Sequence, residues 1–192
     1  MTQDIFNDTH KIIDLVIDPD SLPVTSADMQ HERRVAIFDL LEDNKFRLVN
    51  GPNGPYAVSL SLEEGSRLVL HVRGLDDEVD GAIDDAGDDV PRKPDNSDAH
   101  KHDTSDEITM RYHVSLMPFR RIIKDYFLIC ENYHNAIRTA TSAQIEAIDM
   151  GRRGLHNEGS ELFDESLGEG IKMDFRTSRR FFTLLCSLHR RP

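Results

Sequence analysis

Along residues 11–18, "KIIDLVID", apolar and polar positions alternate so that Ile13, Leu15 and Ile17 share one side, which predicts a strand closed by Pro19 and Pro23. A helix follows. Thr25 or Ser26 offers a cap for "ADMQHERRVAIFDLLEDN", whose apolar residues fall on more than one face, as in a helix covered from several directions. "YAVSLSL" and "RLVLHVR" then alternate with period two on either side of "EEGS", the pattern of a hairpin with a glycine-containing turn. Another strand, "ITMRYHVSL", begins at Ile108.

After Pro118 the period changes to 3.6. Phe119, Ile122, Ile123, Tyr126, Phe127, Cys130, Tyr133 and Ile137 line one face of a long helix, with Leu128 on the opposite side. Thr141 and Gln144 spell a capping box for "SAQIEAIDM", and Gly151 is positioned to end that helix. "ELFDESL" reads as a further short helix and "IKMDF" as a last strand. Thr177 is placed to cap "SRRFFTLLCSLHRR", with Phe181, Leu184, Leu185 and Leu188 inward. The sum predicts an α+β fold, a small antiparallel sheet with helices packed on one face, in a single domain over residues 10–190.

Residues 75–107 break the pattern. This stretch is rich in Asp, Gly and Pro and nearly free of large apolar groups, so it cannot bury enough surface to offset its ordering entropy; it predicts a disordered insertion between two strands. It also explains the charge. From Gly74 to Glu107 there are 13 acidic and 3 basic residues, net −10, whereas the rest of the chain has 22 against 20, so most of the net charge of −12 belongs to the insertion. Cys130 and Cys186, each inside an apolar helical pattern, read as reduced packing residues. The N-terminus lacks a basic head and apolar core, and no window approaches the roughly eighteen apolar residues of a membrane span, so a cytoplasmic protein is expected, with no membrane partner.

Four blocks, "HERRVAIFDLLEDN", "LMPFRRIIKDYFLICENYHNAIR", "IEAIDMGRRGLHNEGSE" and "TSRRFFTLLCSLH", resemble an uncharacterised bacterial family, uncharacterised protein family zero-two-six-two, found mainly in alphaproteobacteria. The resemblance covers residues 11–74 and 108–190. It implies a fold and a lineage and assigns no catalytic residue. The acidic segment departs from the family's pattern, in which the hairpin is joined more directly.

Arginine outnumbers lysine 17 to 6, and ten arginines stand in doublets: Arg33/Arg34, Arg120/Arg121, Arg152/Arg153, Arg179/Arg180 and Arg190/Arg191. Guanidinium groups suit carboxylate or phosphate partners through planar, paired hydrogen bonds. Three doublets fall near predicted helix starts, where each cation is disfavoured by about 0.3–1 kcal/mol, so anions are expected close by. Internal ion pairs, with Glu42, Asp43, Asp125, Asp149, Glu158 or Glu161, are the preferred reading. The sharper one is a phosphate or carboxylate ligand at the start of the Pro118 helix, held by Arg120, Arg121 or Lys124. Gly151 and Gly154 bracket Arg152 and Arg153, and a loop there would form an anion nest; Asn157 would cap the next helix. His156 and Glu158 then become candidates for a proton-transfer pair, although a packing role for His156 is favoured.

No Walker loop, complete dinucleotide fingerprint, zinc-deaminase motif, metalloprotease motif or nucleophile elbow occurs, and no cofactor is expected. "DDEVDGAIDDAG" sets Asp76, Glu78, Asp80 and Asp84 at calcium-loop positions, but Gly87 replaces the final glutamate and no helices flank it, so chance spelling in an Asp-rich tract is preferred. His100 and His102 are an equally weak metal contact. Nucleic acid is less expected than a protein or small-molecule partner because the body of the chain is charge-balanced. The acidic segment is a candidate competitor for the arginine surface. The leading expectation is a binding or adaptor module that recognises an anionic ligand or an acidic protein surface through Arg120, Arg121, Lys124, Arg152 and Arg153. The alternative is a small enzyme acting on a phosphorylated or carboxylated substrate through His156 and Glu158.

Overall fold

A computed structural model describes residues 5–23, 26–75 and 109–189. The readings of the acidic segment, its calcium-like spelling, His100, His102, Ile108, Thr25 and the Arg190/Arg191 doublet lie outside the described residues. The architecture is α+β. Strand β1 (Ile12–Ile17) leads through a short 3-10 turn (Pro19–Ser21) to helix α1 (Ala27–Glu42); β2 (Phe46–Leu48), β3 (Tyr56–Glu63), β4 (Arg67–Gly74) and β5 (Thr109–Ser115) follow. Helices α2 (Phe119–Thr139) and α3 (Ser142–Leu167), strand β6 (Ile171–Met173) and helix α4 (Phe175–Leu188) complete the order. No helix among the described residues is long and apolar enough to cross a membrane.

The main sheet has the order β1-β3-β4-β5 and is mixed rather than wholly antiparallel, because β1 runs parallel to β3 while β3-β4 and β4-β5 are antiparallel. The cause is visible in the chain order: a helix lies between β1 and β3, and such a crossover returns the chain in the same direction. The β1 register is irregular between Ile12 and Asp14, so Ile12 and Leu15 are the buried residues and Ile13 is exposed, against the strict alternation expected. The "EEGS" turn is as read, with Glu64 and Gly65 both at positive φ (51° and 64°). Strands β2 and β6 form a separate antiparallel pair. The core lies between the main sheet and the helices, where α4 contributes Phe181, Phe182, Leu184, Leu185 and Leu188, none more than 2% exposed.

Helix starts follow local chemistry. Ser26 Oγ accepts from the Met29 N–H at 3.3 Å, and Thr141 and Gln144 form the reciprocal capping box. Helix α4 begins three residues earlier than a cap at Thr177 suggests. Asp174 is its cap, accepting from the Thr177 N–H at 2.8 Å, and Thr177 sits buried inside the helix, its hydroxyl accepting from the Lys45 N–H at 2.8 Å. That extra turn brings Arg176 into the helix.

The largest departure concerns residues 148–162. Rather than ending at Gly151, α3 runs unbroken for 26 residues, absorbing both glycines, both arginines, His156, Asn157 and the segment expected to be a separate short helix. Close packing is the reason. His156, Gly159, Ser160, Phe163 and Leu167 are its buried stripe, and a Cβ at Gly159 would lie 2.3 Å from the ring of fully buried Phe182. Three glycines lower helix propensity by about 1 kcal/mol each, less than the burial of the stripe returns.

Opposite effects are therefore expected of two similar substitutions. Gly159→Ala should destabilise by about 1–3 kcal/mol through overpacking against Phe182. Gly154→Ala, with nothing within 4 Å of the new methyl group, should stabilise by about 0.5–1 kcal/mol. Urea unfolding of both variants measures this; a destabilised Gly154→Ala would indicate a loop.

Candidate functional site

The five arginine-site residues and the His156/Glu158 pair are divided among four places. On α3, Arg152 and Arg153 converge on one carboxylate: Arg152 Nη2 and Nε lie 2.6 and 3.1 Å from Asp149 Oδ1, and Arg153 Nη2 lies 2.7 Å from Oδ2. The three- and four-residue spacings place all three side chains together on the helix surface. The hydrogen bond from Arg152 holds the Asp149 carboxyl below the usual carboxylate range; burial opposes this, and the charges of both arginines add to it. Arg152 also lies over the Tyr133 ring, 5.3 Å from its centre. Because the backbone is helical, there is no nest of amides here, and the two guanidinium groups are spent on Asp149.

Glu158 and His156 face apart, as residues two positions apart on a helix must. Glu158 is exposed and borders a cleft with Arg121, Glu161 and Glu165, whereas His156 is 8% exposed. The imidazole packs edge-on against Tyr126 and Phe182, with ring centres 5.5 and 5.3 Å away, and its Nε2 lies 3.0 Å from Thr183 Oγ1. Burial, reinforced by the charges of Arg179 and Arg152, pushes its pKa down to about 4. His156 and Glu158 are not brought together, and the imidazole is packed among aromatic rings.

Arg120, Arg121 and Lys124 occupy the first two turns of α2, which has no side-chain cap. Arg121 is 91% exposed and reaches Asp125 only at 3.6 Å. Arg120 and Lys124, one turn apart, instead border a cleft of about 640 Å³ with Leu62, Leu116, Ile123, Phe127, Leu188 and His189. Neither side chain is hydrogen-bonded or ion-paired to a described residue. The cleft's size is that of a small-molecule pocket, apolar walls with a few polar groups at one side. Burial lowers the pKa of His189, and the nearby Arg120 charge acts in the same direction against a hydrogen bond to the Leu185 carbonyl.

A second cationic cluster was not legible as a site. Arg176, Arg179, Arg180 and Thr183 share one face of α4 and, with His156, line a recess of about 240 Å³. The helical spacing of these residues was the available signal, but it is broken when the helix is started at Thr177. Arg176 Nη2 and Arg180 Nη1 lie 2.9 and 3.3 Å from the same oxygen of Asp43, while Arg179 donates to Asn157 and stands over the Phe175 ring. Among the described residues no group of three His, Cys, Asp or Glu side chains is placed to hold a metal ion. Cys130 and Cys186 are free, and burial raises the Cys186 thiol far above its ordinary pKa, so it is no nucleophile.

The buried neutral imidazole gives a pH signature. In the unfolded chain His156 takes up a proton near pH 6.5, but in the folded protein only near pH 4, so its contribution is intact above pH 7 and is lost as pH falls between these values. The separation amounts to about 3 kcal/mol. His156→Gln should lose correspondingly less stability than the parent protein between pH 7 and pH 4, measured by denaturant unfolding.

No solved structure matches the chain. Among curated proteins, it is 43% identical over 181 residues to a UPF0262 protein of Azorhizobium caulinodans, covering 94% of both chains. It is 46% identical over 176 residues to one of Xanthobacter autotrophicus, covering 91% of this chain and 89% of the relative. A third, from Rhizobium meliloti, is 44% identical over 179 residues, covering 93% and 94%. The family model described as Uncharacterised protein family (UPF0262) matches residues 9–83 and 99–191 and passes over 84–98, inside the acidic segment. With the match spanning β1 through α4 on both sides of that gap, the chain belongs to the Uncharacterised protein family (UPF0262).

Proposed function

We propose that this protein is a binding module for a small amphipathic anion, an apolar body carrying a carboxylate, held in the cleft at the start of α2. The supporting observation is that Arg120 and Lys124, cations without a partner among the described residues, stand on the rim of a cleft whose walls are Leu62, Leu116, Ile123, Phe127 and Leu188. Apolar walls reward burial of a hydrocarbon by about 25 cal/mol per Å². The cations then fix its charged end. Arg120 lies in the first turn of α2, where the helix dipole raises the local positive potential and disfavours it, and Lys124 stands one turn on. A bound carboxylate relieves that repulsion, with Arg120 able to grip both oxygens and Lys124 acting as a point charge.

Of the residues expected to form one arginine-lined surface, only this pair carries the reading forward. Arg152 and Arg153 are both engaged by the Asp149 carboxylate, and Arg121 turns toward Asp125. The enzyme alternative has no converging acid and base to stand on.

Calorimetric titration with aliphatic and aryl carboxylates, alongside thermal unfolding, tests the proposal. At a free concentration of about 100 times Kd, a ligand should stabilise the protein by about 2.7 kcal/mol. The Arg120→Gln, Lys124→Gln double variant should fold normally, since both side chains are exposed, and bind at least about tenfold more weakly. Equal binding by parent and double variant would overturn the assignment.

A further inference from the structure

A different part of the molecule, independent of the α2 cleft, holds more positive charge than the protein itself neutralises. Arg176, Arg179 and Arg180 stand three and four residues apart on α4, so a single helix face points three guanidinium groups into one recess, and Thr183 is one turn further on. His156, from α3, forms the facing wall. Among the described residues, the one carboxylate in ion-pair contact with the cluster is Asp43, and a single oxygen of it serves both Arg176 and Arg180. Arg180 is three-quarters buried, yet its Nη1 has no partner in hydrogen-bond geometry; 3.3 Å from Asp43, it is attracted without being satisfied. Arg179 is held by the neutral amide of Asn157 and by the Phe175 ring, neither of which cancels its charge. Three cations meet one anion.

The wall opposite is polar and also incompletely satisfied. His156 is nine-tenths buried, and of its two ring nitrogens only Nε2 has a partner, Thr183 Oγ1; Nδ1 is buried with none. Thr183 Oγ1 lies 3.1 Å from the Arg179 carbonyl, to which it donates. Having given its proton there, the hydroxyl receives one from Nε2, and the imidazole is neutral and fixed. It adds no competing anion to the recess.

We propose that this recess binds a compact tetrahedral oxyanion, the phosphate group of a phosphomonoester or inorganic phosphate. A planar carboxylate offers two oxygens and one negative charge. A phosphate offers three or more acceptor oxygens and a charge of about −1.5 to −2 near neutral pH, which matches three guanidinium groups offset by one carboxylate. The recess, about 240 Å³, is large enough for the phosphate group and lacks apolar walls for a long hydrocarbon. Asp43, 49% exposed, occupies part of the cluster in the free protein and is the group an incoming phosphate displaces.

The test is calorimetric titration of the full chain with inorganic phosphate and with glycerol phosphate, ionic strength being held constant with chloride, while the His156 ring resonances are followed by NMR. Saturable binding of phosphate, with a shift of those resonances, is expected. Tighter binding of glycerol phosphate would identify the phosphomonoester as the better ligand, and equal or weaker binding the free ion. Arg179→Gln should weaken binding at least about tenfold, as loss of one charge-assisted contact does; Arg176→Gln, whose parent side chain is 70% exposed and dispensable for folding, should do the same. Asp43→Asn should tighten it, because a competing anion is removed, whereas a purely structural ion-pair cluster would be destabilised with no gain in phosphate affinity. The Arg120→Gln, Lys124→Gln variant should bind phosphate as the parent does. Absence of saturable binding, insensitivity to Arg179→Gln, an unchanged Asp43→Asn, or loss of binding in the α2 double variant would each overturn the proposal.

Discussion

The approach of α3 to α4 at Gly159 governs the helical layer. With hydrogen in place of a side chain, the backbone of α3 comes close enough for Phe182 to fill the space a Cβ would need. Phe182 then meets Tyr126 at 5.8 Å and His156 at 5.3 Å, ring centre to ring centre, so one contact ties α2, α3 and α4 together. Phe163, one turn beyond Gly159, stacks on Phe181 at 5.1 Å and extends the seam toward the sheet. The same approach sets the position of His156, and thereby the wall of the arginine recess.

This geometry also reorganises the chain's positive charge. A continuous α3 carries Asp149, Arg152 and Arg153 at helical spacing, so the most conspicuous doublet satisfies itself along its own helix. Of the doublets described, only Arg120/Arg121 stands in a first helical turn; Arg33/Arg34 and Arg179/Arg180 lie further in. The dipole cost that suggested nearby anions therefore applies to fewer cations than their number implies. What distinguishes the two cationic regions is the balance of charge within each: among the described residues, no carboxylate is paired with Arg120 or Lys124, and one, Asp43, meets the cluster of Arg176, Arg179 and Arg180.

Features set by local patterns were readable in the sequence. The capping box at Thr141, the β3-β4 turn, the long α2 and the inward face of α4 depend on neighbours within a few positions, and each is where its spacing puts it. Features set by distant contacts were not. Gly151, Gly154 and Asn157 spell a helix end, and only packing against α2 and α4 keeps the helix going. Strand β2 is three residues long and exists through its pairing with β6, where Arg47 meets Lys172 from 125 positions away. As for the sites, Arg120 and Lys124 were legible because they flank an obvious helix start. Asp43 was legible as an ion-pair partner, but its meeting with Arg176 was not, since that depends on the antiparallel seating of α1 against α4.

The ladder between β4 and β5 pairs Arg67 with Ser115 at the end near Gly65 and Leu116, and Arg73 with Thr109 at the other. The described ends of the chain at Leu75 and Thr109 thus lie at the opposite end of this ladder from Gly65 and Leu116, which border the α2 cleft. The family match breaks between residues 83 and 99, inside the interval that joins those two ends. Agreement across the lineage stops and resumes at one end of the ladder, which makes that end the place where its members can differ while the sheet they share keeps its pairing.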